Sequence, residues 1–268
     1  MSLSSVIGGI YSWISGQPSQ PPWCTPSYAD VCTARAHLKA LDLPTEIILQ
    51  ILDYAEYWPK YEYEHRRTTA ANARHGRGTV AALCFSQSPY DNPLVEEIRA
   101  NGETPKVKSI EFNVESADQG WTTENTRGTF HTSSWVEVSI LRRMNRDAAQ
   151  TSGHENDTLC SPLNYHNILS SEGLVKRPAS AHQGPQGGEG DFAWYLQGNR
   201  VVAGFQSYRV LWTADDWETD EGNEGAGSGE GFIRELRDGD KVVIWARAKY
   251  IGWQCIVKGV GLTVHYGF

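Results

Sequence analysis

Cysteine is scarce in this chain and poorly spaced for chemistry: five residues, at positions 24, 32, 84, 160 and 255, with no Cys-x-x-Cys among them. Such spacing suggests neither a zinc site nor a disulfide framework, so a reduced chain without a bound metal is expected. Long apolar runs are missing too. Nothing approaches the roughly 20 consecutive apolar residues that a membrane-spanning helix needs. Residues 1–17 carry Val6, Ile7, Ile10, Tyr11, Trp13 and Ile14, a helical spacing suited to a docking arm, but they lack the basic start of a secretory leader and the arginines of a transit peptide. Basic charge is in deficit, with 24 Lys and Arg against 32 Asp and Glu. The resulting field, net −8, repels phosphate backbones and anionic bilayers, which argues against nucleic acid or membrane as the main partner. A cytoplasmic or nuclear location is expected.

Catalytic signatures are absent as well. There is no Gly-x-Ser-x-Gly elbow, no His-Glu-x-x-His and no phosphate-cradling glycine loop, and the histidines are scattered singly. Glu111, Glu115, Asp118 and Glu137 would pair as glycosidase carboxylates only if the glutamates left a solvated strand face. Asp216-x-Glu218-x-Asp220 alternates oxygen ligands, but its glycine falls one place late for a calcium loop and no closing glutamate stands at the loop's twelfth position. The sequence reads as a non-enzymatic protein that uses no cofactor.

What is present begins with enough apolar material for a sizeable core: 40% hydrophobic residues, including 10 Trp, 12 Tyr and 7 Phe in 268. Residues 1–35 read as an arm and a Pro-rich linker, 36–78 as a helical segment, and 79–268 as a β domain. Tyr28 to Leu41 is a short helix candidate. Pro44 has a helix-compatible φ and no N–H to lose, and Thr45 and Glu46 offer a capping oxygen and negative charge, so a second helix should begin there. Projected at about 100° per residue, Ile47, Ile48, Ile51, Leu52 and Ala55 share one stripe, while Leu49 falls among Asp53 and Glu56 on the far side. A helix that only packs inward buries the stripe. One that docks a partner leaves an apolar patch, expected around Pro44 and Leu49 with Leu43 or Leu52.

The run Leu43-Pro44-Thr45-Glu46-Ile47-Ile48-x-x-Ile51-Leu52 resembles the first helix of an F-box. That resemblance implies docking of Leu43, Pro44, Ile47, Ile48, Leu49, Ile51 and Leu52 onto the Skp-type linker of cullin ubiquitin ligases, with the rest of the chain capturing a substrate.

Beyond it, Tyr61 to Gly78 is charge-rich, with Arg66, Arg67, Arg74 and Arg77, and reads as a solvated connector. Thr79 to Phe85 looks like a first strand. From Val107 the period becomes 2: Ile110, Phe112 and Val114 alternate with Glu111, Asn113 and Glu115, and Val136, Val138 and Ile140 with Glu137 and Ser139. Ala193 to Leu196, Tyr208 to Trp212, Val242 to Ile244 and Val260 to Tyr266 continue it. Without helices long enough for parallel crossovers, the fold class is mainly β, an antiparallel jelly-roll-like sandwich. Two stretches interrupt it: a polar insertion at about 145–191 and an acidic, glycine-rich loop at about 213–231, both read as poorly ordered.

Asp118-Gln-Gly-Trp121, Gly128 to Glu137 and Trp245-Ala-Arg247-Ala, with the following Gly252-Trp253, are similar to a fungal family that couples an F-box-like helix to such a sandwich, and more distantly to galactose-binding-like sandwiches. The strand-end positions suggest that Asp118, Trp121, Arg247 and Trp253 converge at one end, either as a stacking site for an unknown protein or glycan ligand or as an Asp118–Arg247 ion pair within a tryptophan core. The leading expectation is a substrate adaptor. The alternative is a stand-alone protein- or glycan-binding module whose N-terminal helix is structural.

Overall fold

The computed structural model describes residues 25–74, 79–143, 173–177, 192–214 and 223–267. The N-terminal arm, most of the insertion and the run Asp215 to Glu221 lie outside these residues, and with them the expectation of disorder. The chain divides into two compact units, Met1–Lys60 with Tyr266–Phe268, and Tyr61–His265.

In the first unit, helix α1 spans Tyr28–Lys39 and is opened by a reciprocal cap: the Ser27 hydroxyl accepts the Asp30 N–H and the Asp30 carboxylate accepts the Ser27 N–H. Helix α2 spans Thr45–Tyr54 with Pro44 at the N-cap position, where the φ of −59° suits the entry. The capping oxygen expected from Thr45 is not used, since no side chain caps this end. The helix stops because Glu56 turns left-handed, at φ 47°, which lets the Tyr57 N–H reach back to the Leu52 carbonyl (2.9 Å) and the Glu56 N–H to that of Asp53 (3.0 Å). This six-to-one closure carries Tyr57 onto its own hydrophobic contact. Tyr57, Leu43, Ala34 and Leu38 pack around the buried trio Val31, Ile48 and Leu52.

The second unit is a sandwich of two antiparallel sheets, as the period-2 runs predict. Its strands are β1 (Lys60–His65), β2 (Thr69–Asn72), β3 (Thr79–Gln87), β4 (Lys106–Ala117), β5 (Ser134–Arg143), β6 (Leu174–Lys176), β7 (Trp194–Gly198), β8 (Gln206–Thr213), β9 (Lys241–Lys249) and β10 (Gln254–Gly267). The first sheet runs β1-β10-β4-β8 with β2 also on β10, and the second β3-β9-β5-β6 with β7 also on β5. Consecutive strands from β3 to β5 and from β7 to β10 therefore alternate between sheets, apart from the short β6. The inward positions form the core: Ile110, Phe112 and Val114 face Val136, Val138 and Ile140 through Val210, Ile244 and Leu262, all at most 2% exposed. Phe112, Trp212, Phe232 and Trp194 stack edge-on or tilted with centroids 4.7–5.0 Å apart, adding quadrupole complementarity to area burial.

Four parts differ from the sequence reading. The charged connector after residue 60 is not a helical continuation but β1 and β2, both added to β10. The insertion contributes β6, which pairs with β5. Helix α3 (Pro93–Ala100) went unread although Asn92 caps it and Pro93 fills its first turn, with Val95 and Ile98 buried one turn apart. The glycine-rich end of the acidic loop is likewise seated rather than mobile. Its Gly227 carbonyl accepts the Trp212 indole N–H (2.8 Å), its Glu230 carbonyl accepts that of Trp194 (2.8 Å), and Gly229 lies so close to the Trp212 ring that a β-carbon there would collide. It leads into a one-turn helix, α4 (Phe232–Glu235).

Candidate functional site

The first candidate is the outer face of α2. Ile48 and Leu52, four residues apart, take the inner side at 3% and 7% exposure, which rotates Ile47 and Ile51 into solvent at 41% and 38%. Tyr54, 90% exposed, continues the same line one turn on, and Leu41 stands 69% exposed just before the helix. Positions 44, 47, 51 and 54 lie at the spacing that brings residues over one another on a helix, so exposed Pro44, Ile47, Ile51 and Tyr54 form one apolar stripe. The patch expected around Leu49 is therefore not formed, and a different apolar surface stands exposed. Leu49 is half-buried and Leu52 is in the core, so the exposed surface is built on the isoleucines expected to be buried. Of the F-box-like set, Pro44, Ile47 and Ile51 are presented, Leu43 and Leu49 are partly so, and Ile48 and Leu52 are structural.

The second candidate, the end of the sandwich carrying Trp121 and Trp253, is present in part. The turn after β4 and the β9–β10 turn do share an end: the Gln119 side chain accepts the Gln254 N–H (3.3 Å), and a β-carbon on Gly252, at φ 92°, would stand 3.1 Å from the Trp121 ring. Trp121 is 55% exposed and Trp253 half-buried, while Tyr250 and Ile251 project beside Gly252. The Trp253 carbonyl accepts the Ala73 N–H and the Ala73 carbonyl accepts the Gly252 N–H, which fixes the turn from the other side.

Asp118 and Arg247 do not meet. The Asp118 carboxylate, 4% exposed, accepts the N–H of Gly120 and of Val202, both at 2.9 Å. Val202 sits at φ 57°, a left-handed conformation unfavourable for a β-branched residue, so Asp118 is a clamp that holds a strained loop. Arg247 lies on the outward side of β9 and pairs with Glu137 of β5 at 3.2 Å, the two 1% and 2% exposed. The Trp135 indole donates to the other Glu137 oxygen (3.0 Å), the Trp245 indole to Ser139 (3.2 Å), and the Lys176 ammonium sits 4.9 Å over the Trp245 ring. Glu137 and Ser139 are therefore not the wet face expected from alternation, since the paired strands β5 and β9 are buried on both sides. A sequence signal for this cluster existed: Trp135-x-Glu137 and Trp245-x-Arg247 place opposite charges two residues beyond tryptophans on strands that pair.

Burial makes the interior thiols inert. It pushes Cys84 well above the ordinary range, and Cys255 up to about 11 despite hydrogen bonds from Ser134 and Asn199 that oppose the shift. Among the described residues no group of three or more His, Cys, Asp or Glu is placed to hold a metal ion. No described helix is long and apolar enough to cross a membrane.

No family model matches this chain. No curated protein matches it either. Among solved structures, the VP2 subviral particle of infectious bursal disease virus aligns at 10% identity over 77% of this chain and 41% of that chain, with a TM-score of 0.15.

Proposed function

We propose that the chain is a non-enzymatic interaction protein that docks a partner through the exposed face of α2, as an F-box-like substrate adaptor does with the Skp-type linker of a cullin ubiquitin ligase, while the sandwich recognises the substrate. The observation that carries this reading is the coincidence of motif and exposure. The helix that carries the motif, Thr45–Tyr54, also leaves apolar side chains, Ile47, Ile51 and Tyr54, in solvent in one line. Hydrophobic association needs contiguous apolar area, and an i, i+4, i+7 line is the form in which a helix supplies it. A purely structural helix would have turned those isoleucines inward with Ile48.

The test is titration calorimetry of the purified chain against a purified Skp-type linker. Saturable binding is expected, weakened at least about tenfold in Ile47→Asp/Ile51→Asp, since removing central apolar anchors typically costs 2 kcal/mol or more. The same variant should melt near the wild-type temperature. Absence of linker binding by the wild type would leave the stand-alone recognition module as the better reading.

A further inference from the structure

Strand β8 ends the first sheet, and the segment after Asn223 runs beside it. That segment reaches the β8 backbone through the Asn223 side chain, while its later residues lie under the Trp212 indole, which donates to the Gly227 carbonyl, and pair with β7, where Ala226 bridges Gln197. Toward the Gln206 end the outer edge of β8 borders an open groove of about 330 Å³, lined by the four consecutive residues Gln206–Arg209 together with Phe130, Arg200 and Asn223. The direction of the backbone follows from two bonds. Ala214 donates to the Lys108 carbonyl (2.9 Å), so even-numbered residues of β8 face β4, whereas the Asn223 amide meets the Arg209 carbonyl (3.4 Å) from the opposite side. An antiparallel residue sends its N–H and C=O the same way, so Ser207 and Arg209 direct theirs toward the groove. Natural sheets usually cover such an edge.

The side chains around it select charge. The Arg200 Nε donates to the Gly128 carbonyl (2.6 Å), a neutral partner, so among the described residues its charge is not met by a carboxylate. Arg209 stands at the other end of the lining, held by Glu111 (2.6 Å) and more than half exposed. Between them Phe130 meets Tyr208 edge-on at 6.4 Å, an apolar wall, and the Tyr208 hydroxyl is fixed by the Arg200 N–H (2.9 Å).

We infer that this groove takes an extended acidic peptide, added as a strand beside β8. The outward backbone groups of Ser207 and Arg209 repeat at the spacing of a strand, the repeat that a peptide backbone matches and a sugar does not, although the Arg209 carbonyl already accepts from the Asn223 amide (3.4 Å). The Arg200 guanidinium, whose Nε donates to a neutral carbonyl, favours a carboxylate beside the strand. No residue of this groove belongs to α2, so the inference does not depend on the linker reading.

The probe is a fluorescein-labelled, end-capped peptide of about eight residues, a common strand length, alternating glutamate and valine. Fluorescence anisotropy with the full chain should show saturable binding that weakens with salt. Two related peptides, one with lysine for glutamate and one N-methylated at alternate amides, should not bind. Arg200→Glu should weaken the glutamate peptide about tenfold or more through like-charge repulsion. Ser207→Pro removes an N–H that faces the groove rather than β4 and should do the same with the fold intact. If Ser207→Pro fails to fold, Arg200→Glu decides. Binding that survives Arg200→Glu, equal binding of the N-methylated or lysine peptide, or no saturable binding at all overturns the inference. Preferential capture of an acidic oligosaccharide also overturns it.

Discussion

The outer face of α2 and the outer face of the second sheet depart from ordinary composition in opposite directions. On α2, isoleucines stand in solvent, and on β5 and β9 a glutamate and an arginine are almost completely buried. Each departure has a physical cost, and the two costs have different uses. Burying Glu137 with Arg247 forfeits hydration, which the pair recovers only because the Trp135 indole and the opposite charge are in place. The gain is a fixed register between β5 and β9. Leaving Ile47 and Ile51 exposed forfeits apolar burial, a loss that the docking proposed above would recover on binding.

That contrast is most sharply broken at the ion pair. Arg247→Ala or Glu137→Ala should each cost about 3–5 kcal/mol, because either leaves a desolvated charge without its partner. Urea denaturation measures this, and a loss under about 1 kcal/mol, the scale of a surface pair, would show that the pair pins nothing.

A smaller effect is expected at acid pH. Burial pushes Glu235 upward, but hydrogen bonding and charge from Arg177, with Arg142 and Arg237, outweigh it and hold the carboxyl below its ordinary value. Glu111 is similar: burial raises it, and the hydrogen bonds from Arg209 and Asn113 bring it lower overall. A depressed folded value means that the unfolded chain binds protons first on acidification. These groups therefore contribute stability above the ordinary carboxylate value of about 4.3, and lose it as pH falls through the lower folded value. Unfolding free energy followed from pH 7 downward should fall below about pH 5, and Glu235→Gln should make that fall shallower. An unchanged slope would count against the Arg177–Glu235 contact.

The smallest effect is expected on α2 itself. Ile47→Ser and Ile51→Ser should shift stability by no more than about 0.5 kcal/mol, as surface substitutions do, whereas Ile48→Ala, in the same helix, should cost roughly 2–5 kcal/mol. Thermal melts of the three variants check the comparison. Equal losses would mean that the stripe is core after all.

How much of this was legible follows from what each pattern reports. Alternation at Ile110–Val114 and Val136–Ile140 reports which side chains share a face, and those faces do meet in the core. It does not report what lies on the other face, so Glu137 and Ser139 read as wet although they are buried. The helical stripe around Ile47 to Leu52 was legible as a stripe. Which half of it turns inward depends on Val31, Leu38 and Tyr57, whose approach is set by the turn at Glu56. Likewise Asp118 and Trp121 read as one site with Arg247 from strand-end positions and shared signatures, but Arg247 points from the outer face of β9 and Asp118 closes a turn.

The sequence by itself determined the local terms: the helix starts near Tyr28 and Pro44, the strands from β3 onward apart from β6, the antiparallel class and the acidic balance, because periodicity, caps and charge are properties of neighbours along the chain. Tertiary structure alone decided the partners. It gave Arg247 to Glu137 across 110 residues of sequence. It seated Gly227 and Gly229 against Trp212, and it left Ile47 and Ile51 outside while Ile48 went in. Those choices depend on which surfaces arrive together, and a side chain's own chemistry is equally compatible with either outcome until the surfaces meet.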